Sequence, residues 1–249
     1  MTSPTGVKRH KNTQRKGGFD QLILSVYFCV VSCGILACSA RQRTTMLLKA
    51  SSVTNLTDAR YYAAKEVDYL GFNLEEGTEG YLDPVYMKAI REWVTGPFIT
   101  GEFSRLPVAH VAAAAEFFGL EVVQLSAEHH LDHLSDLHGL DILLHVQASA
   151  DMASLERVFH TASPFVSCFI LDCSNLDHCE PLLYDNKASW NALLAIRPTL
   201  LQAHLSAQSI SSLFEQLDFS GLSLVGGEEE RVGVKSFDQI EEILEAIGR

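Results

Sequence analysis

The chain has 249 residues, 47% of them hydrophobic and 20% charged, which is enough for one sizeable core, and α/β barrels occupy this length as a single domain. Its formal net charge of −12 is uneven: residues 1–45 carry seven basic side chains against Asp20 alone, a net of +6 that leaves −18 on residues 46–249. A surface that acidic repels nucleic acid and anionic membrane at long range, so neither is expected as a partner.

The six cysteines fall in two sets, Cys29, Cys33 and Cys38 in the N-terminal region and Cys168, Cys173 and Cys179 in the body, with no spacing ladder of a disulfide framework. A reducing, cytoplasmic setting is expected. Residues 8–16 are basic and residues 22–40 form an almost uncharged apolar run ending in small residues, the layout of a secretory signal peptide. Ile35-Leu36-Ala37-Cys38 loosely approximates a bacterial lipidation box. Met46, however, stands immediately before the first predicted strand. Residues 1–45 are therefore read as an extension outside the fold, a mis-called start or a disordered leader. An exported or lipid-anchored segment is the alternative. Residues 46–249 are read as one continuous barrel.

The body opens on a strand–helix–strand unit. Residues 46–50 are a short apolar run, residues 54–58 supply hydroxyl and amide caps, residues 59–66 are rich in helix formers, and residues 69–72 resume an apolar run. A strand returning parallel to its neighbour needs such a crossover, which predicts a parallel sheet with functional loops at the strands' C-terminal ends. Asp83-Pro84 starts a second helix over residues 85–94, with Val85, Ile90, Trp93 and Val94 as its expected buried side. Residues 97–103 are the third strand, Val108–Phe118 an alanine-rich third helix closed by Gly119, and residues 122–125 the fourth strand. A histidine-rich helix over residues 129–137 follows, then a fifth strand at 142–146 and a fifth helix over Met152–Ala162. The sixth strand ends at Asp172. The long connection from Cys173 to Arg197 is helical in its second half, residues 188–196. A seventh strand at 200–204, a helix at 209–217 and an eighth strand at Gly221–Val225 complete the pattern. Ser236-Phe237-Asp238-Gln239 reads as a capping box opening a last helix at 240–247. Eight strand–helix pairs predict a (βα)8 TIM barrel.

These residues resemble the phosphoribosylanthranilate isomerases of tryptophan biosynthesis. The family's opening KICGITNLEDA, followed by GADYLGF, is matched by residues 49–59 and by Val67-Asp68-Tyr69-Leu70-Gly71-Phe72. Its VQL strand is matched by Val123-Gln124-Leu125, with Glu128 beyond, and its closing GVKD by Gly233-Val234-Lys235-Ser236. The resemblance implies an Amadori-type aldose–ketose isomerisation without a cofactor or metal, acting on a small phosphorylated molecule. It implies a general acid at Asp172 and a base at the family's cysteine position, which here is Ser51. A serine hydroxyl is far weaker than a thiolate as a base. The arginine that meets the substrate carboxylate is replaced within Thr78-Glu79-Gly80, and the family's QLHG histidine by Ser126. The two phosphate loops read Gln202-Ala203-His204 and, around Gly226-Gly227, Val225 to Glu229. The resemblance therefore assigns Ser126, His204, Gly226 and Gly227 to substrate and phosphate binding. Two functions are expected: a divergent isomerase, or a lapsed barrel that keeps its mouth as a binding or interaction site.

Other clusters read as structural. His129 and His133, four residues apart, would share a helical face, but no third ligand has a defined spacing, so no metal is expected. The run Glu228 to Glu230 reads as an exposed turn, and Cys168, Cys173 and Cys179 as buried structural thiols.

Overall fold

The protein is described from a computed structural model, which covers residues 46–176, 179–225, 229–231 and 234–248. The extension over residues 1–45 lies outside the described residues, as do Gly226 and Gly227.

In chain order the elements are β1 (Leu47–Ser51), α1 (Leu56–Ala64), β2 (Tyr69–Asn73), α2 (Pro84–Arg91), β3 (Phe98–Phe103), α3 (Val108–Phe118), β4 (Val122–Ser126) and α4 (Ala127–His130). A 3-10 helix (Leu131–Asp136) leads to β5 (Asp141–Gln147), α5 (Met152–Ala162), β6 (Cys168–Asp172), α6 (Cys179–Asp185), α7 (Lys187–Leu194) and β7 (Thr199–Gln202). The chain ends with α8 (Ala207–Gln216), β8 (Gly221–Val225), a hairpin of β9 (Glu229–Arg231) and β10 (Val234–Lys235), and α9 (Asp238–Ala246). Strands β1 to β8 pair in sequence order, all parallel, and β8 returns to β1 to close the barrel.

Closure rests on close backbone approach. Leu47 pairs with Gly221 and Ser51 with Val225 at the two ends of the seam, and a Cβ on Gly221 would lie 1.8 Å from the Leu47 carbonyl oxygen. Four helices start on a side-chain cap, at Asn55, Asp83, Asp151 and Ser206. The Asn55 side chain accepts from the Asp58 N–H at 2.8 Å, and Asp83 accepts from Val85 at 2.8 Å ahead of Pro84.

Alternation along the strands sorts side chains into two sets. Leu48, Ala50, Leu70, Phe72, Val123, Leu125, Leu144, Phe169, Leu171 and Leu201 face outward and pack under the helices in one continuous core. There Phe159 of α5 stacks on Phe169 at 3.9 Å, and the buried Trp190 donates its indole N–H to the Leu182 carbonyl at 3.0 Å. The opposite set points inward. Its lower layer, Val122, Leu143, Cys168, Ile170 and Leu200, fills the barrel floor. Its upper layer is polar.

Four expectations need correction. In α2 the buried residues are Met87 and Ile90, continued by Val94, while Val85 is 77% and Trp93 69% exposed. The spacing 87, 90, 94 follows the helical period, which Val85 misses, and Trp93 lies beyond the helix end. The histidine-rich segment is one α-turn followed by a 3-10 helix, whose three-residue turn takes His129 and His133 off a common face. The last helix begins at Asp238, because Ser236 Oγ accepts from the Asp238 N–H at 3.3 Å and starts it two residues early. Finally, Glu229 and Glu230 belong to a strand, paired antiparallel with β10, so the two segments satisfy each other's backbone groups. The first half of the long connection also holds a helix that the sequence reading omitted, α6.

Gly221→Ala is expected to open the β1–β8 seam and destabilise the barrel by about 3 kcal/mol or more, since backbone cannot yield as a side chain would. Urea denaturation of the variant beside the parent chain measures this.

Candidate functional site

The upper inward layer surrounds the C-terminal mouth, where barrel chemistry is placed. Lys49 of β1 is fully buried and forms an ion pair with Glu102 of β3. The pair reaches across β2 only because that strand presents Gly71 between them: a Cβ there would stand 2.0 Å from Glu102 Oε1 and 2.7 Å from Lys49 Nζ. Burial pushes the Lys49 ammonium below its ordinary value, against the opposing attraction and hydrogen bond of Glu102. The second Glu102 oxygen accepts from the Ser52 N–H at 3.0 Å and the Ser52 hydroxyl at 3.1 Å. Ser52 stands where the family motif has glycine and adopts φ 52°, a left-handed conformation that costs a serine on the order of 1 kcal/mol. Its two bonds to Glu102 offset that cost.

Lys49 Nζ also donates to Ser51 Oγ at 2.5 Å. Ser51 Oγ lies 2.9 Å from Ser223 Oγ, and Ser223 donates to Gln202 Oε1 at 2.9 Å. With the Ser223 proton given to Gln202, the Ser51 proton is the one between the two serines. Ser51 thus accepts from an ammonium and donates to a hydroxyl.

A second constellation occupies the opposite wall. Asp172, at the end of β6, takes the His145 Nε2 of β5 at 2.9 Å, and its other oxygen accepts from the Ser174 N–H at 2.8 Å and from the Ser174 hydroxyl. Burial alone would raise the Asp172 carboxyl, but the hydrogen bonds from His145 and Ser174, with the attraction of His145, outweigh it and hold the carboxyl at about 2. At neutral pH Asp172 is a carboxylate.

The remaining predicted positions are dispersed. Ser126 lies on the inward face at the end of β4, in register with His145, and its carbonyl accepts from the ring of His130 at 3.0 Å. His204 lies beyond β7, on a cavity of about 370 Å³ also lined by Gln202, Ala203, Ser223, Ser236 and Gln239. Where the family has its arginine, the loop after β2 is acidic and self-tied. Asn73 Nδ2 donates to Thr78 Oγ1 at 2.8 Å and to the Glu79 carbonyl at 2.6 Å, and the Glu75 carboxylate accepts from the N–H groups of Ser104 and Arg105. Among the described residues no three His, Cys, Asp or Glu side chains converge as a metal would need. No described helix is long and apolar enough to cross a membrane.

Sequence reasoning passed over Lys49, Glu102 and His145 as site residues. The available signal was a charged or titratable residue at an inward position of an otherwise apolar strand, as in LLKAS and DILLHVQ.

The barrel is similar to the crystal structure of phosphoribosylanthranilate isomerase from Thermotoga maritima, at 19% identity over 82% of this chain and 100% of that one, with a TM-score of 0.65. The corresponding structure from Thermus thermophilus matches at 21% identity over 81% of this chain and 98% of that one, with a TM-score of 0.63. The chain has the fold of the phosphoribosylanthranilate isomerases. A 3-hexulose-6-phosphate synthase is similar at 14% identity, over 81% of this chain and 99% of that one, with a TM-score of 0.51. No protein-family model matches the sequence, and no curated protein sequence matches it. One isomerase structure was solved with reduced 1-(o-carboxyphenylamino)-1-deoxyribulose 5-phosphate bound.

Asp172 binds its proton more weakly in the fold than its ordinary value of 3.8, so its stabilising contribution is complete above about pH 4 and is lost as pH falls toward 2. In urea titrations from pH 5 to pH 2, the stability difference between the parent chain and Asp172→Asn is expected to shrink by about 2 kcal/mol.

Proposed function

We propose that the barrel is an acid–base enzyme of the aldose–ketose isomerase kind, in which His145 and Asp172 carry the proton transfers and the substrate is a small phosphorylated sugar other than phosphoribosylanthranilate. The observation that carries this reading is the 2.9 Å contact between His145 and an ionised Asp172 at the barrel mouth. A carboxylate that stays ionised orients an imidazole and stabilises its protonated form, while the ring exchanges protons with the substrate. In the proposed reaction the imidazolium gives its proton to the ring oxygen as the sugar opens. The anomeric hydroxyl gives its proton to solvent as the carbonyl forms, and the neutral ring takes the proton from the neighbouring carbon to leave an enediolate. The hydroxyl proton passes from O2 to O1, and the imidazolium returns its proton to the former carbonyl carbon before solvent reprotonates the ring. One group acts in sequence in this proposal, because Ser51 on the facing wall accepts from Lys49 and is hydrogen-bonded to Ser223.

The change of substrate follows from the loop after β2. An anthranilate carboxylate placed there would meet Glu76 and Glu79 in place of a guanidinium, and like charges oppose binding. The phosphate is assigned to the cavity after β7 and β8, with His204 and Gln202 at its wall. The free, buried thiols Cys168, Cys173 and Cys179 support a cytoplasmic setting. A barrel that binds without reacting is favoured by a single feature, the saturation of Ser51 and of both Glu102 oxygens by partners within the protein.

Incubation of the full chain with aldose and ketose phosphates in D2O, followed by proton NMR, decides between them. Exchange of the C–H beside the carbonyl is expected for at least one sugar phosphate, with a loss of about 10²-fold or more in Asp172→Asn. Binding without exchange would favour the lapsed barrel. Growth of a tryptophan auxotroph lacking the isomerase, restored by this chain with Ser51 intact, would overturn the proposed change of substrate.

A further inference from the structure

We propose that Gln124 reads one hydroxyl of the substrate, that on the carbon from which His145 takes its proton, and so restricts the barrel to 2-hydroxy sugar phosphates. The inference rests on the acid–base function proposed above and adds the residue that decides which sugars are held there.

Gln124 is the middle residue of β4, VVQLS, and alternation places it on the inward face between Val122 in the barrel floor and Ser126 at the rim. It pairs in register with Glu102 of β3 on one side and Leu143 of β5 on the other, one pleat below the Ser126–His145 pair. Its side-chain oxygen is shut off from solvent and has no hydrogen-bond partner within the protein. The other described side-chain atom in that condition, the Tyr62 hydroxyl, belongs to a fully buried residue of α1 in the outer core, away from the mouth. Other polar groups of the inward face are tied within the protein. Glu102 is held by Lys49 and Ser52, Asp172 by His145 and Ser174, and the Gln202 side chain accepts from Ser223.

A buried acceptor without a partner destabilises the free protein and is satisfied by a ligand that brings a donor. A carboxylate brings none, and a hydroxyl brings one. Strand order indicates which hydroxyl. The phosphate is assigned to the cavity after β7 and β8, and the proton transfers to β5 and β6. A sugar laid across the mouth in that direction carries its C1–C2 end toward β4. The hydroxyl on the carbon that loses its proton then donates to Gln124 Oε1. A sugar without that hydroxyl leaves the acceptor unpaired. A site built on such a hydrogen bond rejects the deoxy analogue far more strongly than a hydrophobic pocket rejects a missing methylene.

The test uses the full chain and Gln124→Met, a nearly isosteric change that removes the amide. In urea denaturation without ligand, the variant is expected to unfold at a higher urea concentration than the parent, because an unpaired buried polar group is gone. Calorimetry then measures binding of ribose 5-phosphate against 2-deoxyribose 5-phosphate, and of glucose 6-phosphate against 2-deoxyglucose 6-phosphate. The parent is expected to bind the hydroxylated member of at least one pair about 10-fold or more tightly than its deoxy analogue, and Gln124→Met to bind the two alike. An unchanged or lower urea midpoint in the variant would overturn the inference, since the amide would then be paired already, and would leave the acid–base function standing. Equal binding of the two sugars by the parent, or a discrimination that survives in Gln124→Met, would do the same. Binding of no sugar phosphate by the parent would overturn the inference together with the sugar-phosphate substrate on which it rests.

Discussion

The polar mouth depends on one interaction, the buried ion pair between Lys49 and Glu102. Neither charge belongs in a barrel interior unless the other is present, because removing an ion from water costs several kcal/mol that only a close, hydrogen-bonded counter-ion offsets. Gly71 is the condition for the pair, since any side chain on the intervening strand would occupy the space where the two heads meet. From that pair the rest of the wall follows. Glu102 holds Ser52 in its left-handed conformation, Lys49 orients Ser51, and Ser51 passes the polarity to Ser223 and Gln202. The wall bearing the family's base position has become a closed hydrogen-bond chain.

The opposite wall is organised differently. His145 and Asp172 come from adjacent strands, and the carboxylate is fixed from behind by Ser174. The imidazole remains about a quarter exposed, so the pair can exchange protons with a bound molecule. A carboxylate held at about 2 is ionised at neutral pH, and the proposed reaction therefore gives the proton transfers to its partner His145. The two walls thus give the mouth one titratable centre and one fixed polar surface.

The barrel itself was legible in the sequence because each strand is a short apolar run and several helices carry a local cap, as at Asn55 and Asp83. Asp172 was legible as a strand-terminal acid. Its partner was not, because the contact between residues 145 and 172 depends on the register between β5 and β6. Glu102 was hidden for the same reason, being 53 positions from Lys49 and separated from it by a strand. The misjudged face of α2 has a more local cause. Val85 and Trp93 are apolar, and composition alone does not say which side of a short helix meets the sheet. Met87, Ile90 and Val94 do so because their spacing follows the helical period.

A double-mutant cycle on the ion pair tests the dependence of the mouth on it most directly. Lys49→Met and Glu102→Leu singly are each predicted to destabilise the barrel by about 3–5 kcal/mol, because each leaves a buried charge unpaired. The double variant is predicted to cost less than either single change, with a coupling energy well above 1 kcal/mol. Additive losses across the cycle would contradict the account, since the two charges would then be held independently and the ordered wall would owe nothing to their pairing.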